Sequence, residues 1–158
     1  MKRSGTRLRP GDVLELRCDD RFALLSYLGK HHWLGDALFV LPKLFDAVPE
    51  DYSAEFRNRG YTQFYPATAA ARDGELRRVG YCTEAIRLLP SKVRTIANRE
   101  ASGRVARWII TDARDYQEPR DTLSAEERAL PVGVIVNTAK LRERLAQGWE
   151  PGDYDREG

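Results

Sequence analysis

Between Gly11 and Leu41 the chain alternates short apolar runs with polar, glycine-containing breaks; the runs are Val13 to Cys18, Phe22 to Gly29 and Ala37 to Leu41. Each has the length of a strand and is too short for a stable helix. In the first run Leu14, Leu16 and Cys18 alternate with Val13, Glu15 and Arg17, which predicts one apolar face and one mixed face. The second run is apolar on both faces, Phe22, Leu24 and Leu28 against Ala23, Leu25 and Tyr27, and so belongs inside a sheet. Asp19-Asp20-Arg21 is the tight connection between them, because Asp tolerates turn geometry and bonds its own backbone. The pattern predicts a three-stranded antiparallel meander around which the rest of the chain is organised.

Beyond the meander the signals are more mixed. Pro42, with no N–H to donate, is expected to stop the third strand. Residues 51–56 have the composition of one short helical turn, and Tyr61 to Ala67 reads as a strand weakened by Pro66. Asp73-Gly74 is a turn, with Leu76 to Cys82 as the returning strand. Glu84 to Leu89 fits a short helix or strand ended by Pro90, and Lys92 to Gly103 reads as irregular. Val105 to Ile110 is rich in β-formers and makes a strand whose Trp108 fills a core. Ser124 with Glu127 has capping-box spacing, each side chain bonding the other's backbone N–H. Asn137 or Thr138 caps the best helix, Thr138 to Gln147, which Gly148 ends and onto which Trp149 folds back. The fold class expected is α+β: a small curled antiparallel sheet, a partial barrel-like meander, with a C-terminal helix packed on it. Residues 1–10 are expected as a flexible basic leader, 11–150 as a single domain and 151–158 as an acidic tail.

Composition narrows this only modestly. The 158 residues are 42% hydrophobic and 32% charged, as in a globular protein with a dense charged surface. No run approaches the ~18 apolar residues of a membrane span. The segment MKRSGTRLRPGD is basic without the apolar stretch of a secretory signal, and two cysteines make no disulfide framework. A cytoplasmic location is the resulting expectation. The net charge of +2 conceals a gradient, since residues 77–107 carry eight basic groups against two acidic ones, and residues 108–158 carry seven against eleven. A basic middle suits phosphate or an acidic protein surface. The plainer explanation is that it folds against the acidic end or is simply solvated, because its arginines are not interleaved with aromatics as single-strand binders require.

Motifs that carry chemistry are sparse. There is no glycine-rich phosphate loop, CxxC pair or HExxH motif, so no catalytic residue, metal site or cofactor is expected. His31 and His32 are adjacent; on a strand they point to opposite faces and do not share a metal, and a polar turn explains them better. Cys82 beside a histidine would make a nucleophile and base, but the spacing does not support it and an inert, semi-buried thiol is the simpler reading. The carboxylates Asp12, Asp19, Asp20 and Asp36 sit at strand ends and turns, where Asp is ordinary. Among the tryptophans, Trp33 lies beside a turn and is the one expected to be exposed and to meet a partner.

The opening GDVLELRCDDRFALLSYLG resembles the start of the immunity protein 26 family of bacterial polymorphic toxin systems, which typically opens with Gly-Asp, a strand, an acidic turn and a second strand. The later order is similar too: a tryptophan strand at Arg107-Trp108-Ile109-Ile110, an acidic turn, a short helix leading to Leu130-Pro131, and a terminal helix. The resemblance spans roughly residues 11–149 and carries over no functional residue. It implies an α+β domain that binds and neutralises a cognate protein toxin in the cell making it, with no membrane partner. Candidate partner-binding residues are Trp33 and Asp36 in the meander and Asp112, Asp115, Glu118 and Asp121 in the acidic turn. The alternative is a nucleic-acid-binding small β-barrel, including a ribonuclease of toxin–antitoxin type, whose basic middle would hold phosphates. A general interaction module without a toxin is the third reading and differs from the first only in its partner.

Overall fold

The computed structural model describes residues 7–156. Residues 1–6 of the expected leader and 157–158 of the expected tail lie outside them. Where one domain is expected over 11–150, the chain divides into two compact units: residues up to Leu89 with Ile135–Trp149, and Pro90–Val134 with the residues from Glu150 onward. The protein is α+β.

The first unit is built on the predicted meander. β1 (Asp12–Cys18), β2 (Arg21–His31) and β3 (Gly35–Phe45) pair antiparallel, and β4 (Tyr61–Phe64) and β5 (Leu76–Tyr81) complete a sheet of order β4-β3-β2-β1-β5. The hairpin between β1 and β2 closes through Asp19-Asp20, with Asp19 at φ 57, a left-handed conformation that Asp tolerates better than most residues. Leu24, Leu25, Leu38 and Val40 are fully buried, so β2 and its neighbour form the centre of the sheet as their two-sided apolar pattern requires.

β3 runs through Pro42 instead of stopping there. Its pairing with β2 shifts register between Ala23 and Leu25, opposite residues 41–43, and β4 pairs only with Ala37 to Val40. Pro42 therefore falls in a bulge and beyond the end of β4, where no partner needs its missing N–H. β4 and β5 are not a hairpin either. The helix α1 (Ala67–Arg72) intervenes, and β5 crosses to pair with β1 at the opposite edge. α1 touches both β5 and β3, strands separated by β1 and β2 in the sheet, and this reflects its curl. The C-terminal helix α3 (Thr138–Gln147) packs against β3, capped by Asn137 and ended by Gly148 at φ 64. Inside this unit Arg144 is buried; it donates to Gln63 Oε1 at 2.8 Å and lies 3.9 Å from the ring of Trp149, which folds back on the helix end as expected.

The second unit is a three-stranded antiparallel sheet, β6 (Val93–Arg99), β7 (Val105–Thr111) and β8 (Gln117–Arg120), in the order β6-β7-β8. Only β7 is legible in the sequence. Its Trp108 packs with Ile110 and Leu123 in the core. Beside Trp108 lies the buried guanidinium of Arg94, which donates to the carbonyls of Leu130 and Pro151 and pairs with Asp155 at 3.1 Å. The helix α2 (Ala125–Arg128) begins at a complete capping box between Ser124 and Glu127. From Pro151 the expected tail is a 3-10 helix reaching Arg156. Among the described residues no helix is long and apolar enough to cross a membrane.

Candidate docking surface

In the first unit, residues 81–89 turn apolar side chains outward. Tyr81, Ile86, Leu88 and Leu89 are all exposed, and Leu88 is 93% exposed. Ordinary surfaces scatter such residues singly, whereas a contiguous group marks an interaction site. Here Tyr81, Ile86 and Leu89 gather around the Pro10-Gly11 turn and Gly29, with Leu88 beside them in the chain. A Cβ on Gly11 would meet Tyr81 at 2.7 Å and Ile86 at 3.1 Å, and one on Gly29 would lie 3.5 Å from Leu89 and 4.0 Å from Pro10. The patch thus covers the Pro10-Gly11 turn and the glycine of β2. Gly11, at φ 94, is required there both by its backbone and by the ring resting on it.

The backbone beneath the patch is pinned. Cys82 N–H donates to the Gly11 carbonyl at 2.9 Å, and the Ser26 hydroxyl donates to the Ala85 carbonyl at 2.7 Å from inside the sheet. Between them Thr83–Ala85 forms one 3-10 turn with Ala85 fully buried. Arg87 then folds back: its guanidinium donates to the carbonyls of Phe56, Glu84 and Ile86 and lies 4.7 Å from the ring of Phe39. The usual arrangement is inverted. In Ile86-Arg87-Leu88-Leu89 the charged residue is spent inward while the three aliphatic side chains face solvent.

Charged groups border Tyr81 and line the neighbouring strands of this unit. The Arg9 guanidinium lies 4.6 Å from the ring of Tyr81. It shares the buried Asp12 carboxylate with Arg78, at 3.6 and 3.0 Å, so one acid serves two bases. Opposite Asp36 in the β2–β3 register, Lys30 lines a cleft of about 410 Å³ together with Arg7, Leu8, Tyr27 and Thr68. A larger cleft of about 550 Å³ is lined by Leu8, Ala71, Gly74, Leu76, Arg77 and Arg78, where Arg77 is paired with Glu15. At the other end Glu84 accepts from the Cys82 thiol at 3.2 Å and pairs with Arg57 at 3.7 Å; the thiol bond and the neighbouring amide and hydroxyl donors hold its carboxyl below the usual range.

The structure treats the residues singled out from the sequence unequally. Trp33 is 44% exposed in the turn between β2 and β3. Asp36 is buried instead; it accepts from the Tyr27 hydroxyl at 3.0 Å and from Thr68 N–H at 2.7 Å, and so holds the start of α1 to the sheet. Burial, and then this bond to Asp36, pushes the Tyr27 phenol up to about 12. Asp112, Asp115, Glu118 and Asp121 all fall in the second unit, on and around the β7–β8 turn. Asp112 accepts from the amides of Arg114 and Tyr116, Asp115 sits at φ 63, Glu118 pairs with Arg120, and Asp121 pairs with Arg107 at 3.3 Å. These contacts shape a hairpin and offset its charge. Asp112, Glu118 and Asp121 are thereby committed within the chain.

His31 and His32 do not point apart, because the strand ends between them: their rings lie 4.3 Å from each other, and His31 Nδ1 accepts from the amides of Trp33 and Leu34. Cys82 has Ser53 and Glu84 as its polar neighbours. Among the described residues no group of three or more His, Cys, Asp or Glu is placed to hold a metal ion. Comparison with protein-family models, curated proteins and solved structures gave no match.

Proposed function

We propose that the chain is a binding protein that acts by surface fit, and specifically an immunity protein that neutralises a cognate toxin. The observation supporting this reading is the outward-facing patch Tyr81, Ile86, Leu88 and Leu89 on a pinned backbone. Aliphatic groups held rigidly in water forgo burial worth about 1.5–3 kcal/mol each, and a partner recovers it without first ordering the segment. The resemblance to the immunity protein 26 family supplies the class of partner, a protein toxin met in the cell that makes both.

The nucleic-acid alternative draws its support from the basic middle, and most of that charge is already engaged. Arg77 and Arg78 pair with Glu15 and Asp12, Arg87 and Arg99 donate to backbone carbonyls, Arg94 is buried, and Arg107 pairs with Asp121. Phosphate binding needs exposed cations whose counterions are released on contact.

The immunity reading requires a neighbouring gene whose product ends in a toxin domain. Expression of that domain alone should arrest growth, and co-expression of this chain should restore it. Arrest that persists with the chain present, or the lack of such a neighbour, contradicts the reading.

A further inference from the structure

We infer that the outer edge of β5 holds an extended segment of a partner protein, which pairs with β5 as a further strand in the cleft beside the end of α1. The inference rests on the binding-protein reading above and adds the way in which the partner is held. β5 is the last strand of its sheet and pairs only with β1. The opposite edge is covered, since Phe64 of β4 bridges Ile135 and its carbonyl accepts from Val136 N–H at 3.1 Å. Among the described residues no such bridge covers the outer edge of β5. An uncovered edge presents a row of N–H and C=O groups whose spacing another extended backbone matches.

The cleft of about 550 Å³ follows this edge. Leu76, Arg77 and Arg78 all line it; consecutive strand residues point to opposite faces, so a cavity that meets all three runs along the edge and not over one face. Leu8, Ala71 and Gly74 complete the lining, which gives the cleft an apolar wall. Charge does not choose the occupant. Exposed edges are commonly kept from pairing by charged side chains, but here Arg77 is paired with Glu15 and Arg78 with Asp12. The acids next to them in the chain are engaged too, Asp73 by Arg72 and Glu75 by Thr138. The rim therefore carries both signs, and recognition falls to main-chain hydrogen bonds and to apolar side chains on alternate residues of the added strand, above Leu8, Ala71 and Leu76. At its far end β5 reaches Tyr81, so the edge continues into the exposed apolar patch.

The test uses the intact chain and capped heptapeptides of alternating valine and threonine, with a matched set N-methylated at alternate amides. The unmethylated peptide should bind, slow amide exchange within residues 76–81, and change in affinity by less than about twofold between about 0.05 and 0.5 M salt. One register of N-methylation should abolish binding, because it removes the donors that face β5. Val79 is skipped in the β1–β5 register, so Val79→Pro takes a donor from β5 without removing a paired residue, and it should weaken binding at least about tenfold. Ala71→Trp fills the cleft from the helix side and should do the same; unchanged circular dichroism shows which variant keeps the fold. No binding, equal binding by both N-methylated registers and the parent peptide, protection confined to other strands, or indifference of the folded variants each overturns the inference. So does a dimer of the free chain in sedimentation equilibrium that Val79→Pro dissolves, since a second copy would then occupy the edge. In the growth assay, wild-type rescue that Val79→Pro and Ala71→Trp leave intact removes this edge but keeps the function. Failure of wild-type rescue removes the function itself.

Discussion

Single residues in this chain are decided by what their polar atoms reach, and Tyr27 is the clearest instance. Its phenol is raised from an ordinary 10.0 to about 12, first by burial and then by its bond to Asp36. A proton held more tightly in the folded chain than in the unfolded one stabilises the fold fully below the unfolded value. That stabilisation is lost as pH rises through the folded value. Urea denaturation across pH 10.0 to about 12 should therefore show a falling midpoint in the wild type. Tyr27→Phe should remove this contribution to the slope and, by leaving an Asp36 oxygen short of a donor, cost about 1–2 kcal/mol at neutral pH. An identical alkaline slope in both proteins would show that the phenol does not carry it. The same residue explains why Asp36 was misplaced by sequence reasoning. An aspartate beside a turn glycine reads as surface, and only the distant Thr68 amide and the Tyr27 hydroxyl reveal it as an internal link.

At the scale of elements, the meander, β7, the capping box and α3 were legible because pattern, length and boundary residues agree. β6 was not. Its centre, Arg94-Thr95-Ile96-Ala97-Asn98, looks polar, yet Arg94 lies buried against Trp108 and the alternation is masked by a charge that the fold neutralises internally. β8 was hidden by Pro119, which is tolerated because β8 is an edge strand with one neighbour. The docking surface was hidden for a related reason. Ile86 to Leu89 has the composition of a core segment, and its outward direction is set by the Ser26–Ala85 bond between groups 59 residues apart. No local signal carries that information. The capping box allows a direct check: the Ser124 hydroxyl accepts from Glu127 N–H at 3.1 Å while Glu127 accepts from Ser124 N–H at 3.1 Å. Ser124→Ala should cost about 1 kcal/mol in chemical denaturation and raise amide exchange in α2. A loss within measurement error would mean that α2 is held by its packing alone.

Across the whole molecule, charge and apolar surface are distributed unevenly. Much of the basic middle is consumed by Glu15, Asp12, Asp121, Asp155 and backbone carbonyls, while four large apolar side chains between residues 81 and 89 stay in water. Cations spent on the fold beside a pinned, uncovered apolar surface support the proposed reading of a protein binder. Titration calorimetry of the purified neighbouring toxin domain, with the wild type and with Leu88→Asp, tests this most directly. The account predicts a saturable complex with the wild type and at least about tenfold weaker binding by Leu88→Asp at an unchanged melting temperature. No binding by the wild type, or equal affinity for the two proteins, would contradict it.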